Sequence, residues 1–274
     1  MDLAGRDICR RNPFAMCELL GLSAREKLTA NKILRIFYSH GEEHPHGWGL
    51  ALFRSDGSPV VEKEPIKSTA SHYLKARLDA NIQADNLIGH IRLATMGMLD
   101  YENCHPFALK DIRGRNWTIA HNGTIFDCPS LNRYVKVQNG ATDSERVALY
   151  LVDEINRETT RLGHDLDFEE RFAVLERVIC DLTRQNNKVN LLVYDGAFLF
   201  VHTNYKDSLH VLRGEGVAWI STHPLTDESW EEVPFCRLCA FHDGELVKTG
   251  VDHGGEYVVR QQDLDQILMT YSHL

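Results

Sequence analysis

Apolar positions along the chain follow two spacings. Spacing of three and four residues is typical of one helix face, whereas alternating or continuous apolar runs are typical of strands. Helices are predicted from a cap at Thr29 through Phe37, and at about 70–79, 143–158 and 168–184. Strands are predicted at 17–21, 48–54, 59–64, 87–93, 116–121, 189–194, 197–203, 208–213, 217–221 and 235–249.

The order of these elements indicates a fold class. Strands stand on both sides of two central helices, and a chain that builds a parallel sheet would instead alternate strand and helix. The predicted class is therefore α+β, with sheets and helices in layers. Because no repeat, low-complexity tract or flexible linker divides the sequence, we expect one domain at 17–274 after an N-terminal extension at 1–16.

Composition and charge narrow the classes of function. The chain has 274 residues, and its 39 acidic and 30 basic residues give a formal net charge of −9, which repels phosphate backbones and anionic membranes. We therefore expect neither nucleic acid nor membrane as a partner. No apolar run is long enough for a bilayer span or a signal peptide, and seven cysteines fit a reducing compartment. These features favour the cytoplasm.

Four short segments carry residue types suited to the cleavage of an amide. They are Ala15-Met-Cys-Glu-Leu-Leu-Gly21, His90-Ile-Arg-Leu-Ala-Thr-Met-Gly97, His121-Asn-Gly123 and Ala141-Thr-Asp-Ser-Glu145. A cysteine attacks as its thiolate, and a cysteine at a free N-terminus has a base in its own α-amine, with a pKa of about 7.7–8.0. Because Met16 directly precedes Cys17, translation from Met16 and removal of that methionine would expose the cysteine. Otherwise the bond between the two must be cut.

The order and chemistry of these segments resemble the class II glutamine amidotransferases, which are N-terminal-nucleophile hydrolases. Gly47-Trp-Gly49, Asn103-Cys-His-Pro-Phe107 and Arg115-Asn-Trp-Thr-Ile-Ala-His-Asn-Gly123 look like the small stand-alone members, which have no fused synthetase. The resemblance covers 17 to about 150 closely. It implies a four-layer αββα sandwich and a cysteine-dependent amidohydrolase, with Cys17 as the thiol nucleophile.

The resemblance also implies roles for other residues. Asn122 and Gly123 would form the oxyanion hole, which holds the charge that develops on the attacked carbonyl. A guanidinium grips a carboxylate through two parallel hydrogen bonds, and Arg92 is the candidate for this contact with substrate. Asp143 would accept the substrate's α-ammonium group. The remaining candidates for substrate binding are Thr95 and His121.

Each candidate also has a structural interpretation. Cys17 could be a buried strand cysteine, and Asn122-Gly123 is a strong signal for a hairpin turn. Arg92 could be a surface arginine at a strand end. Asp143 lies in Thr142-Asp-Ser-Glu145, which also matches a helix capping box.

The substrate is less well defined than the reaction. Many class II amidotransferases have Arg-Trp-Ala-Thr-His-Gly where this chain has Arg92-Leu-Ala-Thr-Met-Gly97, which changes the pocket wall. We expect glutaminase activity on glutamine or hydrolysis of another γ-glutamyl amide, with the amine released to water or passed to a separate synthase. A third alternative is a non-catalytic protein that binds a glutamyl metabolite.

No metal or cofactor is predicted. Cys236 and Cys239 form a C-x-x-C pair without a second pair or a histidine motif. His40, His44 and His46 lie in one loop, which we expect over the entrance of the active site rather than around a metal ion. Phosphate-binding and dinucleotide-binding fingerprints do not occur. The sequence leaves the oligomeric state open.

Overall fold

A computed structural model describes residues 17–93, 98–263 and 265 of this protein. Two antiparallel sheets pack face to face, and helices cover the outer face of each sheet. The predicted four-layer αββα sandwich is confirmed. The extension at 1–16 and Thr95 lie outside the described residues. None of the described helices combines the length and apolarity needed to cross a bilayer.

The first sheet has seven strands in the order β11-β9-β10-β1-β4-β2-β3. The strands are β1 (Glu18–Thr29), β2 (Trp48–Phe53), β3 (Pro59–Glu64), β4 (Gln83–Ile91), β9 (His210–Gly214), β10 (Val217–Ser221) and β11 (Glu231–Glu232). Helices α1 (Asn31–Ser39) and α2 (His72–Asp79) cover its outer face. The first part of central β1, residues 18–24, therefore has both faces buried.

The second sheet has six strands in the order β13-β12-β8-β7-β6-β5. The strands are β5 (Phe107–Lys110), β6 (Asn116–Thr124), β7 (Lys188–Tyr194), β8 (Leu199–Thr203), β12 (Arg237–His242) and β13 (Glu245–Thr249). Helices α3 (Asp143–Leu162) and α4 (Phe168–Thr183) cover its outer face. Strands β6 and β7 are adjacent and antiparallel.

Side-chain alternation decides which residues face the space between the sheets. Successive side chains of a strand point to opposite faces, and in β1 Leu20 packs with the helices while Leu19 packs between the sheets. Cys17 has the parity of Leu19. In β6 the inter-sheet position is Ala120, and Asn122 has its parity. The nucleophile candidate and the oxyanion candidate thus face the same interior space.

Two local expectations are wrong. Thr29 is the last residue of β1, and the residue before α1 is Ala30, whose side chain offers no capping group. The hairpin-turn interpretation of Asn122-Gly123 also fails, because both residues lie within β6 and pair with Asn190 and Val189 of β7. The oxyanion candidates are therefore held in place by the pairing of β6 with β7.

Candidate active site

The Cys17 thiol lies where β1 meets the end of β4. The register pairs Glu18 with Ile91, which brings the cysteine to the backbone just beyond β4. There the Leu93 N–H donates to the Cys17 Sγ at 3.3 Å, and the thiol donates to the Leu93 carbonyl at 3.3 Å. Cys17 itself is partly exposed. The backbone thus fixes the direction of this side chain.

The side-chain amide of Asn122 is buried, and only one of its two polar atoms has a hydrogen-bond partner among the described residues. Its Oδ1 accepts a hydrogen bond from Lys188 Nζ at 3.3 Å. Its Nδ2 is buried and has no hydrogen-bond partner among the described residues. A buried N–H without an acceptor costs about 1–3 kcal/mol, and such groups are rare in folded proteins. This amide is therefore a donor prepared for an acceptor that is not part of the described chain.

Lys188 is a site residue that the sequence did not predict. It is the first residue of β7, is only 3% exposed, and its Nζ lies 5.0 Å from the centre of the Tyr205 ring. Burial lowers the pKa of Lys188 to about 8, although the neighbouring Cys17 thiol opposes this change. A lysine at the start of a largely apolar strand that is buried along its whole length is an unusual pattern, and it was the available signal in the sequence.

Some of the groups around Cys17 raise the pKa of its thiol, and others lower it. Although Cys17 is partly exposed, the protein around its thiol removes water from it, which raises the pKa of the Cys17 thiol, and the negative charge of Asp143 adds to this. The Leu93 hydrogen bond and the positive charges of Arg92 and Lys188 lower the same pKa, but the net direction is upward. The thiol therefore needs a base to become a nucleophile at neutral pH.

Asp143 lies at the first position of α3 and ties that helix to β6. Its Oδ2 accepts a hydrogen bond from the Ile125 N–H at 2.7 Å, and its Oδ1 accepts one from the Ser144 N–H at 2.9 Å. The cap of α3 is Thr142, whose Oγ1 accepts from the Glu145 N–H at 3.2 Å. The carboxylate is thus buried and fixed near the thiol, and its contact with a substrate ammonium stays a prediction.

Arg92 is buried immediately after β4. Its backbone N–H donates to the Gly47 carbonyl at 2.8 Å, and its Nη1 donates to the Met98 carbonyl at 3.1 Å. Asn103 Nδ2 donates to the same carbonyl at 2.9 Å. The guanidinium is therefore held near the Cys17 thiol by its contact with the Met98 carbonyl, and its contact with a substrate carboxylate stays a prediction.

His121 and Gly123 occupy the opposite face of β6 from Asn122. His121 Nδ1 lies 2.9 Å from Ser144 Oγ, and its Nε2 lies 3.2 Å from the Lys188 carbonyl. These contacts hold β6 against α3 and β7. They do not favour a direct contact between His121 and substrate, which stays a prediction. A Cβ at Gly123 would lie 1.9 Å from the Lys188 carbonyl oxygen, which explains the glycine on packing grounds alone.

Two histidines of the 40–46 loop lie near the Glu18 carboxylate, and His44 Nδ1 also lies 2.9 Å from the His40 carbonyl oxygen. His40 Nδ1 lies 2.8 Å from Glu18 Oε2, and His44 Nε2 lies 3.8 Å from Glu18 Oε1. Within the described part of the chain, no group of three or more histidine, cysteine or acidic side chains is arranged to hold a metal ion.

Comparison with known proteins defines the family. The model for class II glutamine amidotransferases matches residues 16–216. The chain belongs to the class II glutamine amidotransferases. A putative glutamine amidotransferase of Haemophilus influenzae is 26% identical over 270 residues, which cover 85% of this chain and 86% of the relative. An uncharacterized protein of Methanocaldococcus jannaschii is 31% identical over 260 residues, which cover 85% of this chain and 71% of the relative.

Solved structures of this family share the fold. A protein of Pseudomonas aeruginosa described as a predicted glutamine amidotransferase has a TM-score of 0.60 at 23% identity, over 85% of this chain and all of that one. The glutamine phosphoribosylpyrophosphate amidotransferase of Bacillus subtilis has a TM-score of 0.61 at 17% identity, over 89% of this chain and 50% of its own. The second match is therefore to one half of a larger amidotransferase.

Proposed function

We propose that this class II amidotransferase hydrolyses the γ-amide of glutamine, or another γ-glutamyl amide, with Cys17 as its N-terminal nucleophile. The observation that carries the proposal is that the Cys17 thiol faces the same inter-sheet space as Asn122, whose buried Nδ2 has no hydrogen-bond partner among the described residues. One group attacks a carbonyl carbon, and the other can accept the charge that forms on its oxygen.

The reaction follows from the chemistry of these groups. The α-amine of a freed Cys17 takes the thiol proton, and the thiolate attacks the γ-carbonyl carbon. Asn122 Nδ2 and the Gly123 N–H stabilise the tetrahedral oxyanion. The Cys17 α-ammonium group passes its proton to the leaving nitrogen as the C–N bond breaks, and ammonia or a larger amine leaves. Water hydrolyses the thioester to a γ-carboxylate and restores the thiol.

Arg92 and Asp143 would select the γ-glutamyl group. A glutamyl head carries an α-carboxylate and an α-ammonium group, and these two buried side chains have the opposite charges near the thiol. Both glutamine and other γ-glutamyl amides have this head, so the leaving amine is the variable part. Release of the amine to water makes the protein a hydrolase, whereas delivery to an acceptor requires a separate synthase as partner.

The extension at 1–16 matters to the mechanism because it determines whether Cys17 has a free α-amine that can act as the base. The family match begins at Met16, and in a chain that retains residue 16 the Cys17 nitrogen is an amide, which is not a base. We propose that the active form begins at Cys17. A non-catalytic glutamyl-binding protein is the alternative, in which the extension would persist.

The test compares two preparations, one translated from Met1 and one translated from Met16, each with its first residue determined by intact mass. Glutamate release is measured with glutamine and with γ-glutamyl amides of larger amines. The form that begins at Cys17 should turn over, and Cys17→Ala should lose all measurable activity while keeping its thermal unfolding temperature. Turnover by Cys17→Ala would exclude the nucleophile, and equal turnover by a chain that retains residues 1–16 would exclude the α-amine as base.

A further inference from the structure

Lys188 has no role in the mechanism above, although it contacts Asn122 and its charge acts on the Cys17 thiol. We propose that Lys188 is a positioning residue, which fixes the orientation of the Asn122 amide and keeps a positive charge beside the thiolate and the oxyanion. The inference rests on the proposed function, because it assigns Lys188 to the same reaction.

The geometry of the amide supports the first half of this role. A side-chain amide has two orientations that exchange its oxygen and its nitrogen. Lys188 can only donate, so its contact with Asn122 Oδ1 at 3.3 Å selects one orientation. That orientation leaves Nδ2 without a partner among the described residues. Lys188 therefore determines which atom of Asn122 is available to an incoming carbonyl oxygen.

The position of Lys188 follows from the strand register. Lys188 pairs with Thr124 at the end of the β6–β7 ladder, and Asn122 is its diagonal neighbour on the same face. Diagonal partners in antiparallel strands lie within reach of long side chains. The ammonium group thus approaches Asn122 from inside the sandwich, where both side chains are buried.

The charge balance supports the second half of the role. Among the described residues, the charged groups that act on the Cys17 thiol are Arg92 after β4, Asp143 from α3 and Lys188 from β7. Burying an ammonium group is costly unless an opposite charge faces it. The positive charge of Lys188 lowers the pKa of the Cys17 thiol, and the thiol in turn raises the pKa of Lys188, which is about 8. The charge is thus best compensated when the thiolate or the oxyanion is present.

The test uses the form of the chain that begins at Cys17, with Lys188→Met, Lys188→Arg and the control Lys63→Met. Lys63 is partly buried, and its Nζ donates to the Cys104 carbonyl at 2.7 Å, so its replacement makes the same chemical change away from Asn122. The first readout is the rate of Cys17 alkylation by iodoacetamide against pH, with Cys17→Ser as the background. The second is the separation of kcat from KM for glutamate release.

Lys188→Met should move the alkylation midpoint to higher pH, with a rate about tenfold lower near pH 7. It should lower kcat about 10- to 100-fold with little change in KM. Lys188→Arg should recover part of the alkylation rate and part of kcat. Lys63→Met should change neither the alkylation midpoint nor kcat. In a double-mutant cycle, Asn122→Ala should remove most of the effect of Lys188→Met on kcat.

The alkylation assay separates failure of this inference from failure of the proposed function, because it needs no substrate. An unchanged midpoint in a folded Lys188→Met variant would overturn the inference even if glutamine is hydrolysed. A shifted midpoint in a chain that hydrolyses no γ-glutamyl amide would support the charge coupling and contradict the proposed function instead. If Lys188→Met lowered kcat only as far as its loss of thermal stability explains, and Lys188→Arg restored neither, Lys188 would have only a packing role.

Discussion

At the scale of single residues, Arg92 has an electrostatic effect that is separable from its binding role. Its positive charge lowers the pKa of the Cys17 thiol, an effect that any cation at this position could have. Its planar guanidinium can also hold a carboxylate through two parallel hydrogen bonds, which an ammonium group cannot reproduce. The two effects can therefore be tested by keeping the charge and changing the shape.

Arg92→Lys should raise KM for a γ-glutamyl substrate about 10- to 100-fold, because one bidentate, charge-assisted contact is lost. The value of kcat should change little, since the positive charge beside the thiol remains. Steady-state rates of glutamate release would measure both constants, and alkylation of Cys17 would check that the thiol is unaffected. A fall in kcat at constant KM would instead assign Arg92 to the reacting atoms.

The residues of the site differ in how far the sequence could reveal them. Cys17, Arg92, Asn122 and Asp143 lie in short motifs, and the structure brings these four to one end of the inter-sheet space. Their chemical roles stay predictions. Lys188 could not be assigned from the sequence, because it approaches Asn122 only through the register of β6 and β7.

At the scale of elements, the sequence predicts the long apolar helices and strands well, but it predicts their boundaries less well. The two central helices are confirmed, at Asp143–Leu162 and Phe168–Thr183. The single strand expected at 235–249 is instead the hairpin of β12 and β13, which turns at Asp243-Gly244, both with positive φ. Asp-Gly is a strong turn signal. The four residues of β5 were missed because pairing with β6, rather than local pattern, makes them a strand.

The contact between β6 and β7 gives a prediction for Gly123. A Cβ at this position would lie 1.9 Å from the Lys188 carbonyl oxygen and 2.4 Å from His121 Nε2. Both strands must move to accept it, so Gly123→Ala should destabilise the fold by about 1–3 kcal/mol. The same movement displaces Asn122 from the thiol, and activity should fall further than the loss of stability explains.

Denaturant unfolding of Gly123→Ala would measure the first effect, with Gly214→Ala as the control. A Cβ at Gly214 has its nearest neighbour, the Val217 carbonyl oxygen, at 4.0 Å, so the control should cost little. A Gly123→Ala variant as stable and as active as the parent would contradict the close packing of these strands at the site.

At the scale of the whole molecule, the C-terminal segment after β13 closes the second sheet next to the site. The Tyr257 N–H donates to the Asn204 carbonyl at 2.7 Å, and Asn204 Nδ2 donates to the Gly255 carbonyl at 2.8 Å. Asn204 Oδ1 also accepts from the Val189 N–H at 2.8 Å, directly after Lys188. The order of this segment is therefore coupled to the start of β7.

A pair of neutral histidines fastens the same segment. The Gly255 N–H donates to His253 Nδ1 at 3.0 Å, so the proton of His253 is on Nε2, which donates to His202 Nε2 at 2.8 Å. His202 Nδ1 in turn donates to the Val189 carbonyl at 2.8 Å. Both rings use one donor and one acceptor, so protonation of His202 would place two N–H groups against each other.

This pair predicts how stability depends on pH. Burial, with a smaller effect of His253, lowers the pKa of His202 to about 3, whereas an unfolded histidine has a pKa of about 6.5. Below about pH 6.5 the unfolded chain binds a proton that the folded chain does not, so acid favours unfolding. The contribution of a neutral His202 is thus complete above that pH and is lost as the pH falls toward about 3.

His202→Asn removes the titrating group, and its comparison with the parent isolates this effect. The difference in free energy of unfolding between parent and variant should shrink by about 3 kcal/mol between about pH 7.5 and pH 4.5, which spans two pH units below the unfolded pKa at 1.36 kcal/mol each. Urea unfolding at both pH values, at constant ionic strength, would measure it. A difference that stays constant over this range would mean that His202 is not held neutral by the fold, and that the C-terminal segment is fastened by its backbone contacts alone.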